Sequence, residues 1–302
     1  MKPKVSIILL NYNNEHFTVD CLKSLEHVTY PNIEPIVVDN GSKPESIAAV
    51  RAAANSSVII LESGKNLGFT GGNNFGLKYA LEHGADYIIL LNNDTIVAPD
   101  MFDILVDTME KDPTIGVTGP MIYYYDAPEL IWSVGGKINW NNCNTSMLGL
   151  NEEDKGQYGD ISQPTDFVTG CALMARREVW EKVGGLDENF FIYYEETEWC
   201  VRASRAGYKI VYVPNAMMWH KIGLDARATT PRVYYYMTRN RLLFASKTKA
   251  GLRSWLGIGA EFSRTLVSWS VRPKWKDRRP LRNIMLRAIK DFSMGKYGQA
   301  VV

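Results

Sequence analysis

Asp94 stands where the chain changes character abruptly. The apolar run Tyr87-Ile88-Ile89-Leu90-Leu91 gives way to Asn92-Asn93-Asp94 and Thr95. A run of that length reads as a strand buried on both faces of a parallel sheet, and α/β sheets place ligands at the carboxyl ends of such strands. A lone carboxylate there suits a divalent metal, Mn2+ or Mg2+, held against a nucleotide diphosphate. These ions take one or two protein groups and complete their shells with phosphate oxygens. His220, which follows the last strand-like run, is a second ligand acceptable to Mn2+. A lone histidine is more often a satisfied structural residue, so it counts only in company.

Two further carboxylate positions invite chemistry. Asp39 closes another apolar run, where it can accept hydrogen bonds from a pyrimidine N–H or ribose hydroxyls. Glu195-Glu196-Thr197-Glu198 puts three carboxylates into four positions. Like charges in proximity raise at least one pKa toward the range of a general base. On a helix, 195 and 198 share a face while 196 projects elsewhere, so one glutamate can meet a substrate while another pairs with Arg202, four residues beyond Glu198. The plain alternative is an acidic first turn favoured by the helix dipole. Together, the three positions suit group transfer from a nucleotide diphosphate. One holds the nucleoside, one neutralises the leaving diphosphate, and one deprotonates the attacking hydroxyl.

Such residues need elements to hold them. Strand-like runs at 5–10, 33–38, 58–61 and 87–91 alternate with helical spacings through Phe17, Cys21, Leu22 and Leu25 and through Ile47 and Val50. That alternation predicts βαβ units and a parallel sheet. Residues 66–76, rich in Gly and Asn, read as a loop before a helix ending near Glu82, with backbone N–H groups available to an anion. The spacing is neither a dinucleotide fingerprint nor a Walker loop. Pro99 opens a helix through Phe102, Leu105, Val106 and Met109. Strands are predicted at 115–125, 131–138, 167–175 and 208–213, short helices at 178–183 and from Glu195 on, and a long acceptor-side surface loop at 139–164.

The 302 residues carry a net charge of +1, which argues against a nucleic-acid partner. Residues 247–302 hold 13 Lys/Arg against 3 Asp/Glu, so a basic tail follows an acidic body. Cys21, Cys143, Cys171 and Cys200 lack metal-ligand spacing and read as buried thiols of a reducing compartment. With neither a signal-like N-terminus nor a charge-free span, the expected place is cytoplasmic, at most on the inner face of the cell membrane.

The ordered set of motifs resembles family 2 glycosyltransferases, in their rhamnosyltransferase-like branch. The carrying segments are Leu10-Asn11-Tyr12-Asn13, Val37-Val38-Asp39-Asn40-Gly41-Ser42, Asn66-Leu67-Gly68-Phe69-Thr70-Gly71-Gly72-Asn73-Asn74, Leu91-Asn92-Asn93-Asp94, the 190–208 region and His220. The resemblance implies an α/β GT-A fold with a Rossmann-like, mostly parallel sheet, flanking helices and a C-terminal helical extension. It implies a glycosyltransferase domain over 1–245, with a nucleotide half to about 98 and an acceptor half from 99, followed by a basic amphipathic extension over 246–302. The implied activity is inverting, metal-dependent transfer of a sugar from dTDP-rhamnose or a UDP-hexose to a hydroxyl of a glycan or lipid-linked acceptor. The implied nucleotide contacts are Asn11, Asn13, Asp39, Asn66, Gly68, Asn74 and Asn93. Asp94 and His220 would hold the metal, since Asn92 replaces the first carboxylate of the family's DxD motif. Glu196 would be the base, with Glu195 in reserve because the family usually has Asp at the second position.

Two other classes stay open on the residues alone. A sugar nucleotidyltransferase would carry a Gly-rich basic loop after the first strand, where this chain has Asn11-Tyr12-Asn13-Asn14. A non-catalytic nucleotide-sugar-binding protein would have no need of both Asp94 and the Glu195-Glu196 pair. In the tail, Leu252, Trp255, Leu256, Phe262, Leu266 and Trp269 form a helical stripe beside basic residues. Such a stripe over 252–290 suits either peripheral contact with an anionic membrane or packing on the body or on a second copy in a homo-oligomer.

Overall fold

Apolar runs and helical repeats alternate as β1 (Val5–Asn11), α1 (Glu15–Leu25), β2 (Ile33–Asp39), α2 (Pro44–Ala53), β3 (Ile59–Glu62), α3 (Gly68–Glu82) and β4 (Tyr87–Leu91) in this computed structural model. It describes residues 2–224 and 230–301; 225–229, within the expected 1–245 domain, lie outside them. β1 pairs in parallel with β2 and β4, and β2 in parallel with β3. The chain continues through β5 (Thr95–Val97), α4 (Met101–Lys111), β6 (Ile115–Tyr124), β7 (Leu130–Ser133), β8 (Gly136–Asn139), β9 (Asn144–Met147), β10 (Glu152–Glu153), β11 (Gln163–Pro164) and β12 (Ala172–Arg176). Then come α5 (Arg177–Val183), α6 (Glu195–Arg205), β13 (Lys209–His220), α7 (Pro231–Lys247), α8 (Leu252–Val271) and, after a short 3-10 turn, α9 (Arg279–Ser293). Among the described residues one eleven-stranded sheet forms, parallel through β3-β2-β1-β4 and mixed from β12 onward.

Strand alternation sorts the core into two layers. Ile8 and Leu90 pack on one face with Leu77 of α3, Trp180 of α5 and Trp199 of α6. Ile7, Leu9, Ile89 and Leu91 pack on the other with Leu22 of α1, Val50 of α2 and Phe102 of α4. Both faces being covered, β4 is apolar at every position, as its sequence implied.

Several expectations change in the structure; the strand expected over 167–175, for one, begins only at Ala172. The Gly/Asn-rich stretch 66–76 is mostly helix, because α3 already begins at Gly68. Its glycines let the helix lie close on the sheet: a Cβ on Gly76 would fall 2.7 Å from Ile8 Cγ2, and one on Gly72 2.4 Å from Leu10 Cδ1. Glycine costs a helix about 1 kcal/mol per residue relative to Ala, which this close packing offsets. The run 131–138 is two strands rather than one, broken at Gly135, whose φ of +86° turns the chain. The loop expected over 139–164 contains β9, which returns on β8, together with the short β10 and β11.

The C-terminal helices pack against the body. α7 crosses the expected boundary at 245, and Arg241 on it forms an ion pair of 2.6 Å with Glu261 of α8. Phe262 and Trp269 of the apolar stripe are buried, with Trp255 and Leu266 partly so, so most of that stripe faces protein. What α8 leaves outside is Leu252, Leu256, Val267 and Val271.

Candidate active site

The register of β1 on β2 sets Asn11 opposite Asp39 at the carboxyl ends of both strands. Both are buried, and a hydrogen-bonded network joins them: Asn11 Nδ2 donates to Asp39 Oδ1 at 3.0 Å, and Ser42 N donates to Asp39 Oδ2 at 3.0 Å. Thr18 Oγ1 donates to Asn11 Oδ1 at 2.8 Å and accepts from Asn93 Nδ2 at 2.8 Å. The network therefore reaches the end of β4. Asn13, at φ +55°, donates through its backbone N to Ser42 Oγ and accepts from Lys43 N, pinning the turn beside Asp39. Thr18 and Ser42 carry this network without having been singled out from sequence; hydroxyls near a site are too common to stand out.

Asn40, next to Asp39, extends the network to α3. Its Nδ2 donates to Gly68 O and Asn66 Oδ1, and its Oδ1 accepts from Leu67 N. Asn66 Oδ1 also accepts from Gly68 N at 2.8 Å. Gly68, at φ +76°, sits where a Cβ would strike the Phe191 ring at 2.4 Å, so the start of α3 touches the segment leading to Glu195. Asn74 is engaged elsewhere. Its amide donates to Leu186 O and accepts from Leu186 N, fastening α3 to the turn after α5. The other nucleotide candidates are brought together; the amide of Asn74 is occupied in this packing contact.

At the end of β4 the chain turns through Asn92-Asn93-Asp94, closed by Thr95 Oγ1 donating to Asn92 O at 2.7 Å, and enters β5. β5 pairs antiparallel with β13, and the register sets His220 opposite Thr95. β13 runs seven residues past the strand expected to end at Val213, so His220 is part of it. As a result His220 Nε2 lies 3.1 Å from Asp94 Oδ1, across 126 positions of sequence. The imidazole is buried against the edge of Trp132, and its Nδ1 is enclosed without a partner. The carboxylate keeps about a quarter of its surface open, at 28%.

At the same strand end, Asn92 N donates to Cys171 O at 2.8 Å. Gly170, the preceding residue, packs against Glu196: a Cβ there would lie 3.6 Å from Glu196 Cβ and 3.0 Å from Phe69. The Gly170-Cys171 turn thus touches both the strand end that leads to Asp94 and Glu196 of α6. In the first turn of α6, Glu195 is buried at 4% exposure and Glu196 is partly open. Each has one carboxylate oxygen, Oε2, enclosed with no hydrogen-bond partner. Glu198 is spent on Arg202 at 2.9 Å, the i+4 pair expected from sequence, and Arg202 in turn donates to the backbone of Gly185 and Val183.

Burial pushes the Glu196 carboxyl up to about 7. Burial, and then the charge of Glu196, pushes Glu195 well above the usual carboxylate range. Both carboxyls are therefore harder to ionise than exposed ones. A carboxylate of that basicity with an unpartnered oxygen is suited to taking a proton from a hydroxyl.

The donor set of Asp94 and His220 fits a divalent ion, one hard carboxylate and one imidazole facing each other. Among the described residues no cluster of three His, Cys, Asp or Glu forms. A divalent ion held there would take the rest of its shell from oxygen ligands.

The family model of glycosyl transferase family 2 matches residues 6–184. The chain is 25% identical over 260 residues to the dTDP-rhamnosyl transferase RfbF of Shigella flexneri, covering 83% of each. It is 26% identical over 241 residues to an N-acetylglucosaminyl-diphospho-decaprenol L-rhamnosyltransferase of Mycobacterium tuberculosis, covering 73% of this chain and 76% of that one. In fold it is similar to a mannosyltransferase of Pyrobaculum calidifontis solved with GDP-Man and Mn2+, with a TM-score of 0.59 at 14% identity, over 98% of this chain and 88% of that one. The architecture is GT-A, as its motifs implied.

Proposed function

The chain belongs to glycosyl transferase family 2, and from that premise we propose that it moves rhamnose from dTDP-rhamnose, or a hexose from UDP, to a hydroxyl of a glycan or lipid-linked acceptor, with inversion. It is a glycosyltransferase; donor, stereochemistry and metal dependence are the proposal. One observation carries the reading. The Gly170-Cys171 turn touches both the end of β4, which leads to the Asp94–His220 pair, and Glu196, a carboxylate with an unpartnered oxygen. In this reading the Asp94–His220 pair meets the diphosphate and Glu196 meets the acceptor hydroxyl.

In the proposed step the acceptor oxygen attacks the anomeric carbon as Glu196 takes its proton, and the bond from that carbon to the diphosphate oxygen breaks. Asp39, its carboxylate fixed by Asn11, holds the nucleoside, with Asn13, Asn66, Gly68 and Asn93 around it. Asp94 and His220 would hold a Mn2+ or Mg2+ ion, whose charge offsets that of the departing diphosphate. The Mn2+ in the Pyrobaculum structure supports a divalent ion, and the names of the two rhamnosyltransferases support the donor and a lipid-linked acceptor. Donor hydrolysis and thermal stabilisation, measured with Mn2+ across dTDP-rhamnose, UDP-glucose and UDP-N-acetylglucosamine, test the donor. The strongest response is expected from dTDP-rhamnose, and a response confined to UDP sugars overturns that choice.

The proposed partner surface for a lipid-linked acceptor is the outer face of α8. Leu252, Leu256, Val267 and Val271 are exposed there, near Arg253, Arg264, Arg272, Lys274 and Lys276. Among the described residues no helix is long and apolar enough to cross a membrane. An amphipathic helix of this kind binds at the headgroup level through apolar insertion and attraction to anionic lipid. The protein is expected to co-sediment with vesicles containing phosphatidylglycerol and less with neutral ones. Undiminished sedimentation of a Leu256→Glu, Val267→Glu double variant counts against this surface.

A further inference from the structure

Glu195 and Glu196 follow a segment that the chain does not adopt readily. Phe191, Tyr193 and Tyr194 have φ of +66°, +69° and +73°, the left-handed region, which bulky side chains avoid. Such a conformation persists only where the surroundings over-determine it. Here the surroundings are on α7. Asn240 is fully buried, and its Nδ2 donates to Phe190 O at 3.0 Å, Ile192 O at 2.7 Å and Tyr193 O at 2.9 Å. Its Oδ1 accepts from Arg239 Nε at 3.0 Å, which fixes the orientation of the amide. Arg239, 1% exposed, also donates to Phe190 O at 3.0 Å and Gly298 O at 2.7 Å, and its guanidinium lies over the rings of Tyr235 and Tyr236.

The other side of the turn is tied to the nucleotide half. Phe191 O accepts from Phe69 N at 2.9 Å and Thr70 N at 3.3 Å, at the start of α3. The segment is therefore stretched between α3 and α7, and the next residues are the two carboxylates. We infer that Asn240, oriented by Arg239, is a positioning residue: it holds the left-handed turn of residues 190–194 and thereby aims Glu195 and Glu196 at the acceptor hydroxyl. The inference rests on the reading of Glu196 as the base. No ordinary propensity calls for Arg239-Asn240-Arg241 within the apolar and aromatic helix α7, and these three carbonyls account for its central amide.

The test compares wild type, Asn240→Ala, Arg239→Lys and Glu196→Gln by nucleotide-binding stoichiometry in calorimetry, donor KM, kcat and melting. Misplacement of a reacting group by an ångström costs on the order of 100-fold in rate. Asn240→Ala is expected to lose kcat on that scale while binding close to one nucleotide per chain with KM within about twofold. A folded Asn240→Ala with wild-type kcat overturns the inference, as does a kcat that falls only in proportion to binding stoichiometry. If Asn240→Ala does not fold, Arg239→Lys, which keeps the charge but lacks the fork that orients the amide, is judged by the same split. Wild-type turnover in Glu196→Gln would show that the base is misassigned, an outcome separate from the kcat of the Asn240 variant.

Discussion

Glu196→Gln is expected to bind nucleotide diphosphate as wild type does and to turn over about 10³-fold more slowly, within the 10²–10⁴ range that a positioned general base contributes. The amide keeps the size of the side chain but cannot take the proton of the attacking hydroxyl. Wild-type kcat/KM should also rise with pH as the Glu196 carboxyl ionises, with an acid limb near 7, because burial raises that carboxyl to about 7 and only the ionised form accepts the proton. That limb should be absent from the residual rate of Glu196→Gln. The same shift has an opposite consequence for stability. A carboxyl whose pKa is raised on folding contributes most below its ordinary value and loses that contribution as pH rises through the folded value. Above pH 7 the Gln variant should therefore melt no lower than wild type. Turnover within tenfold of wild type would move the base to Glu195 or elsewhere, and a pH profile flat from 5 to 8 would remove the buried pair from the mechanism.

Asp94→Asn should strike the proposed diphosphate end of the site. It preserves the shape of the turn but removes the carboxylate set against His220 at 3.1 Å. In Mn2+ its affinity for dTDP or UDP is expected to drop by about 100-fold, toward that of wild type in EDTA, because one coordinating charge contributes several kcal/mol to holding diphosphate. Asn92 cannot compensate, being neutral, and among the described residues no third ligand is grouped with the pair. Calorimetry of wild type with and without EDTA provides the comparison. Equal affinities in the two conditions would show that the diphosphate is held without a metal, leaving Asp94 some other role.

Some of this site is legible at the level of single segments. The apolar runs of β1, β2 and β4 and the polar residues that end them are visible because a strand buried on both faces must be apolar throughout and must stop where polar ligands begin. The Glu198–Arg202 pair is equally local, four residues apart on one helix. The Gly/Asn stretch is read only halfway. Its composition says loop, yet Gly72 and Gly76 serve a helix pressed against Leu10, Ile8 and Val38. That pressure comes from the sheet beneath and has no mark in the stretch itself. The two amides of Asn66 and Asn74 look alike in sequence, and only one of them turns toward the Asp39 network.

By itself, then, the order of residues determined the alternating α/β plan, the family, and the chemical kinds available: carboxylates at strand ends, a histidine after the last strand, an acidic helix start. These follow from local propensity and pattern, which act over a few residues. Tertiary structure decided which of them meet. His220 reaches Asp94 because β5 and β13 pair in one register, and a slip of one residue would turn the imidazole to the opposite face. Glu196 comes against Gly170 just after a segment in left-handed conformation that is held from α3 on one side and from α7 on the other. Register and clamping are long-range contacts between distant segments, and no single segment carries the information for them.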